Sequence, residues 1–578
     1  MLATLFIACM AWFALAYIFY GRFLEKRLGV DPVRRTPAYT HHDGVDYVPT
    51  ATPILFGHHF SSIAGAGPIV GPVIAGLAFG WLPAILWVLI GAVFIGGTHD
   101  YVCLIASLHN KGRSVGQMAR QLLSPASRYL FLVFIWLTMI YIQIVFLDLT
   151  ASTFAPINPL SGAMTDAAQL QVSEGGTVAT ASILYICLAL VFGVTIYRFR
   201  VPVWLGTLIF VPLVFGALYV GHLMPLSADM MPVLFGSPKN TWLAILIAYC
   251  FMASVLPVWV LLQPRDYLSS FLLYACLFGG GVGLIVSGFT GRVAIQYPAL
   301  VTFSDANLKF MFPALFVTIA CGAVSGFHAI VASGTTAKQL RSESSARPVA
   351  YGSMLVEGVL AIIALAAVMI LAAKPKGHTP VSVFADGLGY FVNSLGIDRR
   401  VAVTFGLLAV STFLLTTLDT CTRLSRFIFE EIFHIRGLAA RLGGTVAALL
   451  IPALVVFRQI PGPGGKLLPA WQAIWPAFGA TNQLMAALAL LVVFAWLRSQ
   501  GKRALYVLIP MVFMCITTLT ALGQLVYRNF MQDGSYLVGV LSLILSLLAI
   551  ALIVDAMGRL RKSTSNAEHS TQNPSPSF

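Results

Sequence analysis

Long apolar runs separated by short polar stretches recur from one end of the chain to the other. A helix needs about 20 mostly apolar residues to cross the hydrocarbon core of a bilayer. On that rule the pattern predicts fifteen spanning helices, over residues 1–20, 53–78, 82–108, 128–150, 180–196, 203–222, 241–262, 268–288, 311–333, 350–373, 402–428, 438–457, 474–497, 504–527 and 535–558. The expected fold class is an all-α polytopic membrane protein.

Two of the runs are interrupted. In the second, Gly65-Ala-Gly-Pro68 cannot hold a regular helix, because Pro68 lacks a donor and crowds the preceding turn, while Gly65 and Gly67 ease unwinding. In the seventh, Ser254-Val-Leu-Pro257 is followed by Gln263-Pro-Arg265. The odd offset between these runs makes them cross in opposite directions. The chain then divides into an N-terminal helix with a basic loop (1–50), a first five-helix unit (51–222), a second unit of inverted topology (241–433), C-terminal helices (434–558) and a tail (559–578) expected to be disordered in the cytoplasm. Such a 5+5 inverted repeat puts the substrate near the midplane between the broken helices. Their N-terminal ends favour an anionic group, and their freed carbonyls suit a cation or water.

Composition agrees with lipid as the solvent: 58% of residues are hydrophobic and 10% charged, against about 25% charged in soluble proteins. The net charge of +14 does not indicate nucleic-acid binding, because Lys and Arg fall in short clusters between apolar runs. The first run is followed, not preceded, by basic residues (Arg22, Lys26, Arg27, Arg34, Arg35), which reads as an uncleaved helix with its N-terminus outside. Alternating spans then place most of the 35 Lys and Arg residues, and the C-terminus, inside; the 374–401 loop departs from the rule. The eight cysteines lie in or beside apolar runs without a CxxC pair, so helix packing rather than a disulfide framework or zinc site is expected.

The string Phe56-Gly-His-His-Phe-Ser-Ser-Ile-Ala-Gly-Ala-Gly-Pro-Ile-Val-Gly-Pro72 resembles the signature of the carbon starvation protein A (CstA) family. Further matches follow in order: Gly97-Thr-His-Asp-Tyr101, Asn110-Lys-Gly-Arg-Ser114, Gln263-Pro-Arg-Asp-Tyr267, the stretch from Ala320 to Thr336, Arg347-Pro-Val-Ala-Tyr-Gly352, the stretch from Thr416 to Leu424, and that from Trp475 to Leu484. The resemblance covers about residues 20–530. It implies an inner-membrane transporter for nutrient scavenging in carbon starvation, with peptides or pyruvate as substrate and a proton as coupling ion. It also implies the LeuT/APC-like five-plus-five fold, with extra N- and C-terminal helices. It calls for no cofactor.

Several polar residues in apolar runs are candidates for a site. His58 and His59 lie in the first interrupted helix, where adjacent positions point to different faces; transport roles and structural hydrogen bonds are both open, and a shared metal is disfavoured. Glu357 and Asp419 are carboxylates inside spans, where charge costs on the order of 3 kcal/mol. Asp419 has Arg423 at i+4 as a partner, whereas Glu357 has only His328, on another span, and is the better proton relay. Asp148 is expected near the outer face and solvated. Arg265 either meets a substrate carboxylate or sits in a cytoplasmic turn, its side chain diverging from that of Asp266. By analogy with the superfamily, Ser325, Ser333, Thr335 and Thr336 are candidates for sodium binding on a third helix of the second unit, or else they pack helices. Asn482 and Gln483 are expected to bridge helices, and the Gly279–Gly283 run to bring helices close rather than bind phosphate.

The reading is a symporter whose substrate site is formed by His58, His59, Gly65, Gly67, Ser254, Pro257, Gln263 and Arg265. Coupling to protons, or to sodium, falls to Glu357, Asp419, His328, Ser325, Ser333 and Thr336. The expected partners are a small-molecule substrate, the coupling ion and membrane lipid. A channel and a polytopic enzyme are the alternatives. A channel would carry a filter or charged rings, and an enzyme a convergent catalytic cluster.

Overall fold

Helices form wherever an apolar run is long enough, and polar residues mark their ends. In the computed structural model they run in order α1 (Leu2–Leu28), α2 (Thr52–Ile63), α3 (Gly67–Phe79), α4 (Trp81–His109), α5 (Pro125–Phe154), α6 (Asp166–Tyr197), α7 (Val203–Leu223), α8 (Pro238–Val255) and α9 (Leu262–Phe289). There follow α10 (Met311–Thr318), α11 (Gly326–Val331, continued by π-helical Ala332–Thr336 to Gln339), α12 (Glu343–Met369), α13 (Pro380–Asn393), α14 (Arg399–Phe433), α15 (Leu438–Val456), α16 (Ala470–Ser499), α17 (Leu505–Met531) and α18 (Tyr536–Gln572). Residues 45–46, 123, 156–165, 227–229, 234–235, 258–259, 376–378, 462–466 and 573–578, and the side chains of 166–174 and 560–572, lie outside the described structure. Ser124 and Ser237 cap α5 and α8 ahead of a proline at the first helical position. Asp398 caps α14 through the N–H groups of Arg400 and Val401. α18 runs to Gln572, and the last six residues of the tail lie outside the described residues.

Twelve helices among the described residues are long and apolar enough to cross a membrane, or thirteen with the bent pair α2–α3 counted as one span. The other two expected spans take a different form: α8 has 18 residues, and the 311–333 run is split into α10 and α11. Burial sorts the helices. α14 and α16 bury 89% and 94% of their most apolar windows and lie at the centre, whereas α7 buries 22% and belongs at the periphery.

The first interruption is where the glycines and Pro68 put it: α2 and α3 meet at 44° across Ala64–Ala66. The second is not at Ser254–Pro257. There α8 is regular to Val255 and simply ends, with Pro257 exposed in the connection. Gln263, Pro264 and Arg265 form the first turn of α9, where a missing proline N–H costs no intrahelical bond. The second break lies instead between α10 and α11, over residues 319–325. It contains no proline, and two side chains of α16 hold it open. Gln483 Nε2 donates to the carbonyls of Phe316 at 2.8 Å and Ile319 at 3.3 Å. Asn482 Oδ1 accepts from the N–H of Phe327 at 3.1 Å, while its Nδ2 donates to Ser325 Oγ at 3.0 Å. The groups freed by unwinding are thus satisfied by amides, as a low-dielectric interior demands. α16 comes so near that a Cβ on Gly326 would meet its backbone.

The two broken helices run antiparallel. The start of α2 is joined to the end of the second broken helix, Thr50 N donating to Gln339 O at 2.9 Å. At the opposite end, the chain leading into α10 is joined to the end of α3, Val301 N donating to Phe79 O at 2.9 Å.

Candidate functional site

The two breaks face each other. A Cβ placed on Gly67 would collide with Cys321, and one on Gly322 would come within 3.4 Å of Pro68 Cα. Between them is a narrow cleft. The first break contributes Ile63, Gly65 and Gly67, and the second Cys321 and Phe327. Ile142 and Phe146 of α5, Thr417 of α14, and Phe478 and Asn482 of α16 complete the wall. The lining is largely apolar and carries no charged side chain. Phe146 and Phe478 meet edge to face, 5.9 Å between centroids. Beyond them Asp148, expected to be solvated, is buried: it pairs with Lys239 of α8 and accepts from Trp471 N at 2.9 Å.

A buried charged cluster flanks the cleft. Arg265 is fully buried on α9 rather than in a solvated turn. Its Nη1 pairs with Asp419 and donates to Tyr249 Oη at 3.0 Å; its Nη2 donates to Asp266 Oδ1 at 2.8 Å. Arg265 and Asp266 therefore converge instead of diverging, because the guanidinium folds back over its own turn. Asp419 is paired with Arg265, and it also accepts from Tyr249 Oη at 2.8 Å. Arg423, its expected i+4 partner, turns away to the carbonyls of Ala253 and Leu256, which it caps at the end of α8. His58 Nδ1 stands 3.8 Å from Asp266 Oδ2. One guanidinium between two carboxylates is a neutralised guanidinium, and none of its charge is left over for a ligand.

A second cluster lies among α4, α11 and α12. Asp100 Oδ1 faces His99 Nδ1 at 2.7 Å, and Oδ2 faces His328 Nδ1 at 2.8 Å. His328 Nε2 stands 3.4 Å from Glu357 Oε2. All four residues are fully buried, and neither Glu357 oxygen has a hydrogen-bond partner among the described residues. The proximity of Glu357 and His328 was legible from their types. His99 and Asp100 are further members of the cluster, and their signal in the sequence is a His-Asp pair inside an apolar run, of the same kind as a lone intramembrane carboxylate.

The remaining candidates scatter. His59 Nδ1 pairs with Thr336 Oγ1 at 2.8 Å, tying the first broken helix to the second, and points away from His58 as adjacent helical positions must. Ser325 is held by Asn482. Ser333 Oγ donates to Ala329 O at 2.7 Å, accepts from Val115 N at 3.3 Å, and does not line the cleft. Ser254 meets Thr445 at 3.1 Å, and Gln263 Oε1 accepts from Tyr197 Oη at 2.9 Å. Ser254, Pro257 and Gln263 stand outside the cleft lining, since α8 ends there instead of breaking. Among the described residues no group of three or more His, Cys, Asp and Glu is arranged to hold a metal ion.

Comparison with known proteins follows the same line. The family model described as carbon starvation protein CstA matches residues 1–378 and 373–521. The peptide transporter CstA of Escherichia coli (strain K12) is 32% identical, over 89% of this chain and 80% of that protein. The pyruvate/proton symporter BtsT of the same organism is 30% identical, over 92% of this chain and 82% of its own. Among solved structures, a manganese transporter of Eremococcus coleocola aligns at 12% identity with a TM-score of 0.44, over 88% of this chain and 95% of its own. With the motifs in order along a polytopic helical chain and the family model matching nearly all of it, the protein belongs to the carbon starvation protein CstA family.

Proposed function

We propose that this protein is a secondary transporter that takes up a small nutrient, pyruvate ahead of short peptides, together with protons. The observation that carries the reading is the cleft between two antiparallel broken helices, an interior place where irregular backbone is shielded from lipid. Relatives named as a peptide transporter and a pyruvate/proton symporter support transport over catalysis. The lining of the cleft favours pyruvate. A zwitterionic dipeptide would bring two charges into a wall with no charged side chain, and each unpaired buried charge costs several kcal/mol. A single carboxylate can be received by the positive end of α3, which starts at Gly67 in the cleft. Gly65, Gly67, Cys321, Thr417 and Asn482 are the proposed contacts; His58 and the neutralised Arg265–Asp266–Asp419 cluster form one flank without contacting the substrate, and Glu357 and His328 serve as the proton site.

A five-plus-five repeat is part of the proposal, with its units redrawn. The first comprises α2–α3, α4, α5, α8 and α9; the second comprises α10–α11, α12, α14, α15 and α16; α6 and α7 form an inserted hairpin. In support, each unit opens with a broken helix followed by a helix carrying a π-helical stretch, Gly91–Gly96 in α4 and Arg347–Gly352 in α12. α5 packs on α14 at the centre, and α9 lies against α2 and α14 as α16 lies against α11 and α5. With the N-terminus outside and the C-terminus in the cytoplasm of a cell with an inner membrane, the Arg265 cluster faces inward and the Asp148–Lys239 pair outward.

Uptake by the full chain in proteoliposomes tests the function. Labelled pyruvate is expected to enter saturably under an inward proton gradient and not under a sodium gradient, with dipeptides competing weakly. Non-saturating flux indifferent to both gradients would establish a channel instead.

A further inference from the structure

His328 is held from both sides. Its Nδ1 faces a carboxylate, Asp100, at 2.8 Å, so that nitrogen carries the hydrogen and the ring's tautomer is set. In the neutral ring Nε2 is then bare, and it faces Glu357 across 3.4 Å. Asp100 is itself held, by His99 Nδ1 at 2.7 Å on its other oxygen. The three helices that supply this chain of groups all depart from α-helical geometry beside it. π-helical turns occupy Gly91–Gly96 just before His99, Ala332–Thr336 just after His328, and Arg347–Gly352 just before Glu357. Such turns are uncommon and concentrate at functional sites. The other titratable groups facing the chain are His59 on α2, Cys103 beside His99, and Cys321 in the second break, which also lines the cleft.

Resting on the proton-coupled reading above, we propose that Asp100 and His99 are positioning residues of the proton relay. Asp100 holds His328 in the tautomer that accepts a proton from Glu357, and it balances the imidazolium that results. His99 sets how much of Asp100's charge is available for that task. In the step itself the O–H bond of the Glu357 carboxyl breaks and an Nε2–H bond forms on His328. The proton moves with no change of oxidation state, leaving an imidazolium bridged between two carboxylates. A carboxylate behind an imidazole acts in this way wherever a histidine must gain and lose a proton in a fixed orientation.

The pH profile of pyruvate uptake by the full chain in proteoliposomes tests this, with gradient-free counterflow as the control for folding and substrate binding. Asp100→Asn removes the balancing charge. Its uptake midpoint is expected to move toward acid by about one pH unit, a roughly tenfold loss of proton affinity, with counterflow retained. His99→Asn leaves Asp100 with its charge less shared, so its midpoint is expected to move the other way. A wild-type profile in Asp100→Asn, or shifts of the same sign in both variants, overturns the proposal, because a packing defect has no reason to produce opposite signs. If Asp100→Asn is not recovered folded, His99→Asn decides alone: an alkaline shift supports the relay, and an unchanged midpoint overturns it. Glu357→Gln separates the two levels. Loss of pH dependence there, with no shift in Asp100→Asn, removes only Asp100; unchanged pH dependence in Glu357→Gln removes the coupling role itself.

Discussion

Arg265 illustrates what a single buried charge requires. With Asp266, Asp419 and Tyr249 all arranged on one guanidinium, the cluster holds α8, α9 and α14 together. Removing one partner leaves the others uncompensated in a low-dielectric setting, at a cost of about 3–5 kcal/mol. Arg265→Met is therefore expected to lower the melting temperature in detergent sharply. Adding Asp419→Asn to it should restore part of the loss, because the uncompensated carboxylate goes with the guanidinium. Simple additivity of the two losses would rule out their direct pairing. At the same scale, Asn482→Ala strips Phe327 N and Ser325 of partners, at about 1–3 kcal/mol. Melting should fall accordingly, while the exposed Gln472→Ala leaves it unchanged.

At the scale of elements, the two broken helices are opened by different physics. The first is broken by its own residues, since glycine and proline weaken a helix wherever it lies. The second is opened by a neighbour: residues 319–325 unwind because Asn482 and Gln483 of α16 satisfy the groups that unwinding frees. A search for proline therefore finds the first break and is drawn to Ser254–Pro257 for the second, where a helix merely ends. The close approach of the two breaks gives an element-level prediction. Gly67→Ala puts a methyl into Cys321 and should reduce pyruvate uptake by about tenfold, the effect of overpacking worth 1–3 kcal/mol. Cys321→Gly in the same chain removes the colliding side chain and should recover uptake. Failure of that rescue, with both proteins folded, would show that the breaks do not touch during transport.

At the scale of the whole molecule, the cleft lies between two buried ion clusters, Asp148–Lys239 beyond the Phe146–Phe478 pair and Arg265–Asp266–Asp419 on the other flank. In the proposed transport cycle each opens in turn, so weakening one should bias the resting state. Asp148→Asn is expected to raise the reactivity of Cys321 toward a membrane-impermeant thiol reagent added from outside, and excess pyruvate should suppress that reactivity. Equal reactivity in the native chain and the variant would remove the pair from any gating role. The proposed orientation has a direct check: tags at the N- and C-termini should be reached by antibody from the outside and the cytoplasmic side respectively.

What the sequence determined by itself is whatever depends on composition within one segment. Apolar length decides where helices lie, because a bilayer admits only segments that satisfy their own backbone. Local glycine and proline located the first break, and intramembrane ionisable residues marked Glu357, His328 and Asp419 for attention. Only the tertiary structure decided the pairings: Asp419 with Arg265 rather than Arg423, Asp100 with His328, and the second break against α16. Those choices are made between residues far apart along the chain, where the energy of a buried charge or a freed carbonyl depends on which side chain another helix brings to it. No local rule contains that information, because it does not exist until the helices pack.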